Sequence, residues 1–474
     1  MSNMNNMSNK LLFNNSDKNN IEGRGKTKLI HFSPLQAIAI GFATLIILGA
    51  IILSLPISTN IGQSVRFIDA LFTAASAVCV TGLVVFDTNV TWSAFGQIVI
   101  IILIQVGGLG IMSAATLFSL FLGRRIGLKE RLAIQESLNE FTLTGIVRIF
   151  KKILLGAFVV EIAGALILST KLIPLYGFGK GVGKSMFHSI SAFCNAGFDI
   201  FGRSGNEFVS LTSFNRDPVI LFTISFLIII GGLGFIVWKD IIANKRFSNF
   251  MLHTKVVLLT TLILIVTGTI LLYVFEHNNP QTLKELSVWS KIINAFFHSV
   301  TPRTAGYNSI PVDGLTEPSK LLTILLMFIG GASGSTAGGI KVTTFSIITF
   351  ATLSYIKGNN DVNLFGRKVP ETIIKKSIPI ITLSIVLVFI TTMILLVNDE
   401  GSFMQVLFES VSAFGTVGLS TGITPGLNII SKLQIIITMF FGRIGPLSAV
   451  IIISASQGHK NPPYKFPEGK IGVG

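Results

Sequence analysis

A short motif ending in glycine occurs four times: Val78–Leu83 (Val-Cys-Val-Thr-Gly-Leu), Phe193–Phe198 (Phe-Cys-Asn-Ala-Gly-Phe), Pro302–Tyr307 (Pro-Arg-Thr-Ala-Gly-Tyr) and Phe414–Leu419 (Phe-Gly-Thr-Val-Gly-Leu). The shared glycines, Gly82, Gly197, Gly306 and Gly418, are 115, 109 and 112 residues apart, so four copies of one unit account for nearly the whole chain. In each copy a phenylalanine (Phe72, Phe187, Phe296, Phe408) lies ten positions before the glycine. The run between them is too short to cross a bilayer and predicts a re-entrant element. Glycine after a short helix opens backbone conformations closed to other residues, which lets successive carbonyls turn toward one line. Carbonyls on four such loops around an axis can replace the water shell of a cation.

Composition sets the medium. Half of the 474 residues are hydrophobic and 12% are charged, with a mean hydropathy of +0.72, which marks a membrane protein. Eight apolar runs, near 35–55, 94–122, 152–172, 217–238, 255–275, 319–350, 375–397 and 430–455, have the length needed to cross as helices. Residues 1–31, rich in Asn, Ser and Lys, read as a cytoplasmic disordered tail and not as a cleavable signal peptide. The net charge of +15 raises the question of nucleic acid, and the positions of the charges answer it. The N-terminal tail, the segments near 123–152, 239–255 and 357–376, and the C-terminal tail hold 24 Lys and Arg; the alternate segments, near 56–93, 171–216, 276–318 and 398–429, hold nine. The asymmetry follows the positive-inside rule, with both termini cytoplasmic, so no nucleic-acid partner is expected. The two cysteines, Cys79 and Cys194, both fall in the repeated motif and read as small residues in tight loops.

The reading is therefore an all-α integral membrane fold of four consecutive units, each an outer helix, a re-entrant helix, a glycine loop and an inner helix, around a pseudo-fourfold central pore. The units are 32–122, 123–238 with a preceding cytoplasmic linker, 239–356 and 357–456, followed by a cytoplasmic tail over 457–474. The linker near 123–152 reads as an amphipathic segment at the headgroups or against a partner. Gly107, Gly108 and Gly110 read as small residues for close helix packing. Glu161, in mid-span, needs a partner or water. The third unit has one residue fewer between Phe297-His298-Ser299 and its glycine than the second has after Phe187-His188-Ser189, which places a one-residue gap in that short helix. Both histidines read as structural. Gly330–Gly339 (Gly-Gly-Ala-Ser-Gly-Ser-Thr-Ala-Gly-Gly) should break the third inner helix, and broken backbone at membrane depth belongs beside a permeation path. Arg443, inside the fourth inner helix, is expected to face the exposed carbonyls of that segment and hold it across the path.

Several motifs are misleading. Gly177–Ser185 ends in Gly-Lys-Ser, but Phe178 stands where a phosphate loop needs glycine. Gly331-Ala332-Ser333-Gly334 matches the GxSG of intramembrane serine proteases without a mid-span histidine to serve it. An enzyme would need a recurring acid, base or metal set, and none recurs. A stoichiometric sodium-coupled secondary transporter is the nearer alternative, but such folds use inverted repeats, whereas these units all start and end on the same side.

Together, the four loops, Thr304-Ala305-Gly306-Tyr307, Gly330–Lys341 and Gly442-Arg443 resemble the ion-translocating subunits of the Trk/Ktr/HKT superfamily over about residues 35–474. Eight spans favour the Ktr type over the Trk branch, which usually has two more N-terminal spans. The resemblance implies potassium uptake across the bacterial plasma membrane, with potassium, the only metal expected, held by carbonyls around Cys79, Val80, Thr81 and Gly82; Cys194, Asn195, Ala196 and Gly197; Thr304, Ala305 and Gly306; and Thr416, Val417 and Gly418. It implies a gate at Gly334, Ser335, Thr336, Ala337, Gly338, Gly339 and Lys341, with Arg443 below the filter. It also implies a homodimer on a cytosolic ring of KtrA- or KtrC-type regulatory subunits, which bind ATP or ADP, and stimulation by sodium. No cofactor is expected on this chain.

Overall fold

The computed structural model describes residues 34–60, 65–110, 146–359, 361–445 and 467. The tail expected over 1–31, most of the basic linker, the end of the fourth inner run and nearly all of the C-terminal tail lie outside them. Of two compact units, Met1–Ser33 falls wholly outside, and Pro34–Gly474 contains everything that follows.

The chain is mostly helical, and its helices are grouped by the units read from the sequence. The first unit has α1 (Pro34–Leu53), α2 (Phe67–Val78), a single turn α3 (Thr88–Thr91) and α4 (Ala94–Leu109); the second has α5 (Ile146–Tyr176), α6 (Phe178–Phe193), α7 (Pro218–Gly232) and α8 (Phe235–Ala243). The third has α9 (Leu252–Glu276), α10 (Val288–Val300), α11 (Glu317–Phe328) and α12 (Val342–Ile356); the fourth has α13 (Glu371–Asn398), α14 (Phe403–Gly415) and α15 (Ile429–Ile444). One departure from the all-α expectation is a small hairpin at the start of the fourth unit, β1 (Asn363–Leu364) against β2 (Arg367–Lys368). Its two-residue turn places both Phe365 and Gly366 at positive φ, the geometry that matches strand twist.

The helix starts are written locally. Asp217 accepts from Val219 N and Ile220 N ahead of Pro218, Asn428 accepts from Ser431 N, and Ser402 forms a reciprocal capping box with Gln405. Each satisfies amides that a first turn leaves open.

The eight runs are not eight uninterrupted helices. Among the described residues only α1, α5, α9 and α13 contain stretches long and apolar enough to cross a membrane alone; α7 and α8 qualify together but are bent by 93°. Three of the helices that follow the glycine loops stop at or just before a glycine with left-handed backbone, α4 at Gly110 (φ 88), α7 at Gly234 (φ 89) and α15 at Gly445 (φ 93), whereas α11 already ends at Phe328, ahead of Gly334 (φ 68). L-residues avoid that conformation, so those three helices end there. Gly110 therefore terminates a helix, correcting its reading as a packing residue, whereas Gly107 and Gly108 do allow close approach, to Val78 O and to the Cys194 side chain.

Each long helix packs on the short helix that follows it: α1 on α2, α5 on α6, α9 on α10, α13 on α14. The next layer joins units, with α4 on α6, α7 on α10, α11 on α14, and α15 back on α2. The series closes on itself. A buried ion pair, Lys432 Nζ to Asp69 Oδ1 at 2.7 Å, ties that last contact. On α5 the residues Leu155, Val159, Ile162 and Leu166 form an exposed apolar stripe at helical spacing, the face a helix turns to hydrocarbon rather than to water.

Candidate functional site

The four glycine loops meet. A Cβ added to Gly82 would strike Ala196 O, one on Gly197 Ala305 O, one on Gly306 Val417 O, and one on Gly418 Thr81 O. The contacts form a closed cycle in which each glycine faces the carbonyl before the next glycine. All four have positive φ, and so do the residues two positions earlier, Val80, Asn195, Thr304 and Thr416. Left-handed residues alternating with ordinary ones stop successive carbonyls from pointing to opposite sides. The short helices deliver their C-termini to this ring, with Cys79, Cys194, Thr301 and Thr416 as C-caps. Four negative helix ends thus converge on it.

Hydroxyls that the sequence reading missed hold the loops. Six residues before the glycine, Ser76 and Ser412 accept from Gly82 N at 3.0 Å and Gly418 N at 3.1 Å, and Ser191 donates to Phe198 O at 2.8 Å. In the third unit Thr301, five before its glycine, donates to Tyr307 O at 2.6 Å. The backbone explains the offset. Thr81 N, Ala196 N and Val417 N each bond the carbonyl five residues back, whereas Ala305 N bonds Thr301 O, four back. The one-residue gap thus lies at the end of the short helix, and Phe297, fully buried, takes the place expected for Phe296. The signal was present as a hydroxyl at a nearly constant offset. Tyr307 Oη reaches across to Phe198 O at 3.0 Å, joining the second and third loops.

Against the ring lies the expected break, residues 329–341 between α11 and α12. Its polar backbone is bonded to its neighbours: Ala332 N to Gly232 O (2.9 Å), Phe235 N to Gly334 O (2.9 Å), and Gly339 N to Gly442 O (3.3 Å). Thr336 Oγ1 donates to Asn195 Oδ1 at 3.0 Å, and Gly338 abuts the Thr416 side chain so closely that a Cβ would collide with it. Lys341 Nζ donates back to Ala337 O at 2.6 Å. Arg443 donates to Thr336 O, and on α4 to Gly107 O and, at 3.1 Å, to Gly108 O. It sits in the last turn of α15, just before Gly445; a cation suits that helix end.

Other sequence candidates are accounted for by packing. Glu161 accepts from Gln105 Nε2 at 2.9 Å, and Gln105 Oε1 lies 3.5 Å from Cys194 Sγ. His188 stacks on Phe201 and accepts from Ile200 N; His298 lies 3.3 Å from Thr323 Oγ1. Cys79 and Cys194 are buried and unbridged. The Gly177–Ser185 stretch leads into and starts α6, and Ser333 faces Thr343 Oγ1 at 3.3 Å. On the side of the ring away from the break, a cavity of about 600 Å³ is lined by Gly82, Gly197, Gly306 and Gly418 together with Asp87 and Asp199.

A ring of glycine loops, each packed on the carbonyl before the next glycine, between an acid-lined cavity and a broken helix, inside an apolar helical body, defines a membrane-embedded cation transport protein. The TrkH cation transport protein model matches residues 36–461, and the chain belongs to that family; it is a transporter, not an enzyme. It is 43% identical to Ktr system potassium uptake protein B of Bacillus subtilis over 94% of this chain and 98% of the relative. It is 40% identical to potassium/sodium uptake protein NtpJ of Enterococcus hirae (93% and 97%), and 37% to Ktr system potassium uptake protein D of Bacillus subtilis (94% and 99%). The crystal structure of the potassium transporter TrkH from Vibrio parahaemolyticus superposes with a TM-score of 0.71 at 18% identity, covering 92% of this chain and 87% of that one. The expected kinship is thereby established.

Proposed function

We propose that this chain is the ion-conducting subunit of a Ktr-type potassium uptake system in the bacterial plasma membrane. Four units surround a pseudo-fourfold pore, and carbonyls around Thr81, Ala196, Ala305 and Val417 and their glycines form the filter. The observation that carries the reading is the closed cycle of glycine-to-carbonyl contacts, which no packing requirement of a helical bundle explains. The cavity is the outer mouth, since its lining comes from the segments poor in Lys and Arg. Residues 334–339 are the gate, held across the path by Arg443. Eight passes with cytoplasmic termini are read from the apolar runs and the placement of Lys and Arg; homodimerisation, a cytosolic nucleotide-binding regulatory ring and stimulation by sodium are what the family resemblance implies, and the name Ktr system of two relatives fits a partner subunit. A single glycine per loop provides fewer ordered ion sites than a filter with two, so discrimination against sodium is modest.

The test is growth at limiting potassium, with rubidium uptake, in a bacterium lacking its own uptake systems. It compares this chain with Gly82→Ser, each with and without a Ktr regulatory subunit. Regulator-dependent uptake that shifts toward sodium in the variant supports the filter and the partner together. Membrane-inserted protein with no monovalent-cation uptake under any pairing sinks the proposal.

A further inference from the structure

The fourth unit holds a carboxylate that the filter and gate do not use. Glu409, on α14, is fully buried (0% exposed), and it lies at the same offset from its glycine as His188 in the second unit, nine residues before Gly197. Its Oε1 accepts from Thr424 Oγ1; that hydroxyl lies 3.1 Å from Ser420 Oγ. Its Oε2 has no hydrogen-bond partner, and neither does the hydroxyl of Thr421, which is 6% exposed. The Ser420 hydroxyl and the Thr421 amide also hydrogen-bond to the carboxyl, leaving Oε2 the under-satisfied oxygen, and no cationic side chain among the described residues lies against it. Ser420, Thr421 and Thr424 also line the mouth cavity beside the four glycines.

Two orphaned oxygens, one of them on a carboxyl group, are costly in a buried place unless something satisfies them. A cation against the carboxylate would satisfy Oε2, with the hydroxyls of the adjoining Ser420–Thr424 segment beside it. The donors are all oxygen, which selects a hard ion, and the single carboxylate balances one positive charge, where divalent sites usually gather several. We propose that Glu409, Thr421, Ser420 and Thr424 form a site for a hard monovalent cation, sodium or potassium, beside the outer end of the filter and separate from the ions in its axis. An ion there would fix the segment Ser420–Thr424 that lines the mouth, and this goes beyond the transport reading without depending on it.

The test is therefore one of binding. Full-length protein in detergent, in choline buffer, is titrated separately with sodium and potassium chloride while its thermal unfolding midpoint is followed, for the wild type, Glu409→Gln and Thr421→Val. For one ion the concentration giving half the stabilisation should rise about tenfold in Glu409→Gln, the equivalent of losing one charged ligand, and by a smaller factor in Thr421→Val. The response to the other ion, held in the filter, stays unchanged; the ion whose titration moves is the site's occupant, and movement of both marks an unselective site. Unchanged titrations with both ions in both variants overturn the proposal. Should Glu409→Gln fail to fold, Thr421→Val decides alone, and a wild-type response there overturns it. Failure of uptake in cells would bear on the transport reading and leave this result standing.

Discussion

Arg443→Met is the sharpest perturbation of the proposed gate, because methionine keeps much of the volume and removes every donor. The guanidinium makes three hydrogen bonds to carbonyls, of which those to Gly107 and Gly108 anchor it on α4 and the one to Thr336 reaches the broken segment. A hydrogen bond from a charged donor contributes about 1.5–3 kcal/mol, and only the Thr336 bond distinguishes a segment lying across the path from one swung aside. Losing it should raise the displaced population roughly ten- to hundredfold, at about 1.4 kcal/mol per factor of ten. The expected outcome is faster initial rubidium uptake at matched protein levels and a smaller requirement for the regulatory subunit. Arg443→Lys, which keeps the charge and reaches fewer carbonyls, should fall between. Folded Arg443→Met protein, with an unchanged unfolding midpoint and uptake equal to or below the wild type, would refute the argument.

Three further outcomes follow from buried polar groups. Lys432→Met leaves Asp69 buried without its partner and should cost about 3–5 kcal/mol, read as a lower unfolding midpoint; adding Asp69→Asn should restore most of it. Glu161→Leu strips the Gln105 amide of its acceptor and should cost about 1–3 kcal/mol, while Glu161→Gln, which still offers a carbonyl, should cost less by the same assay. At the mouth, burial and then the neighbouring carboxylate of Asp87 push the Asp199 carboxyl up to about 7, against the pull of Phe201 N and Lys184. Asp199 is protonated below that pH and charged above it, so the half-saturating external potassium should rise, by up to about tenfold, as pH falls through 7. Asp199→Asn should remove the dependence.

The architecture was legible where glycine and hydropathy recur. Four loops at nearly even spacing foretold a ring, and ten small residues at 330–339 foretold a break, because both depend on backbone freedom that only particular side chains grant. The ends of the other inner helices were harder to read. Gly110 follows its filter glycine by 28 residues and Gly445 by 27, as Gly334 does by 28, but Gly234 follows by 37, and the longer loop in the second unit hid the pattern. Isolated glycines in apolar runs also suit close helix packing, which Gly107 does provide, so composition could not separate the two roles. Ser76, Ser191 and Ser412 were overlooked because serine in a short helix is common; only their shared offset marks them, and Thr301 breaks that offset. Partners distant in the chain, such as Lys432 and Asp69 or Glu161 and Gln105, could not be paired without knowing which helices touch.

In the proposed filter and gate, the contacts between the break and the ring would link opening to selection. Thr336 donates to Asn195 Oδ1 at 3.0 Å, and the same amide donates from Nδ2 to Arg303 O at 3.0 Å and reaches Thr304 Oγ1 at 3.5 Å, so one side chain joins the segment to the second and third loops. Gly338 presses on Thr416 in the fourth. A segment that moves out of the path must release both contacts, and the left-handed backbone at Asn195 and Thr416 is then held by fewer neighbours. Two changes within one network do not add. Thr336→Val should lower the ratio of potassium to sodium uptake, Asn195→Ala should do so as well, and the double variant should be less impaired than the product of the two, by a coupling of about 1 kcal/mol. Strict additivity in that cycle would mean that the filter keeps its shape whatever the segment does, and that gating and selectivity are separate properties of this fold.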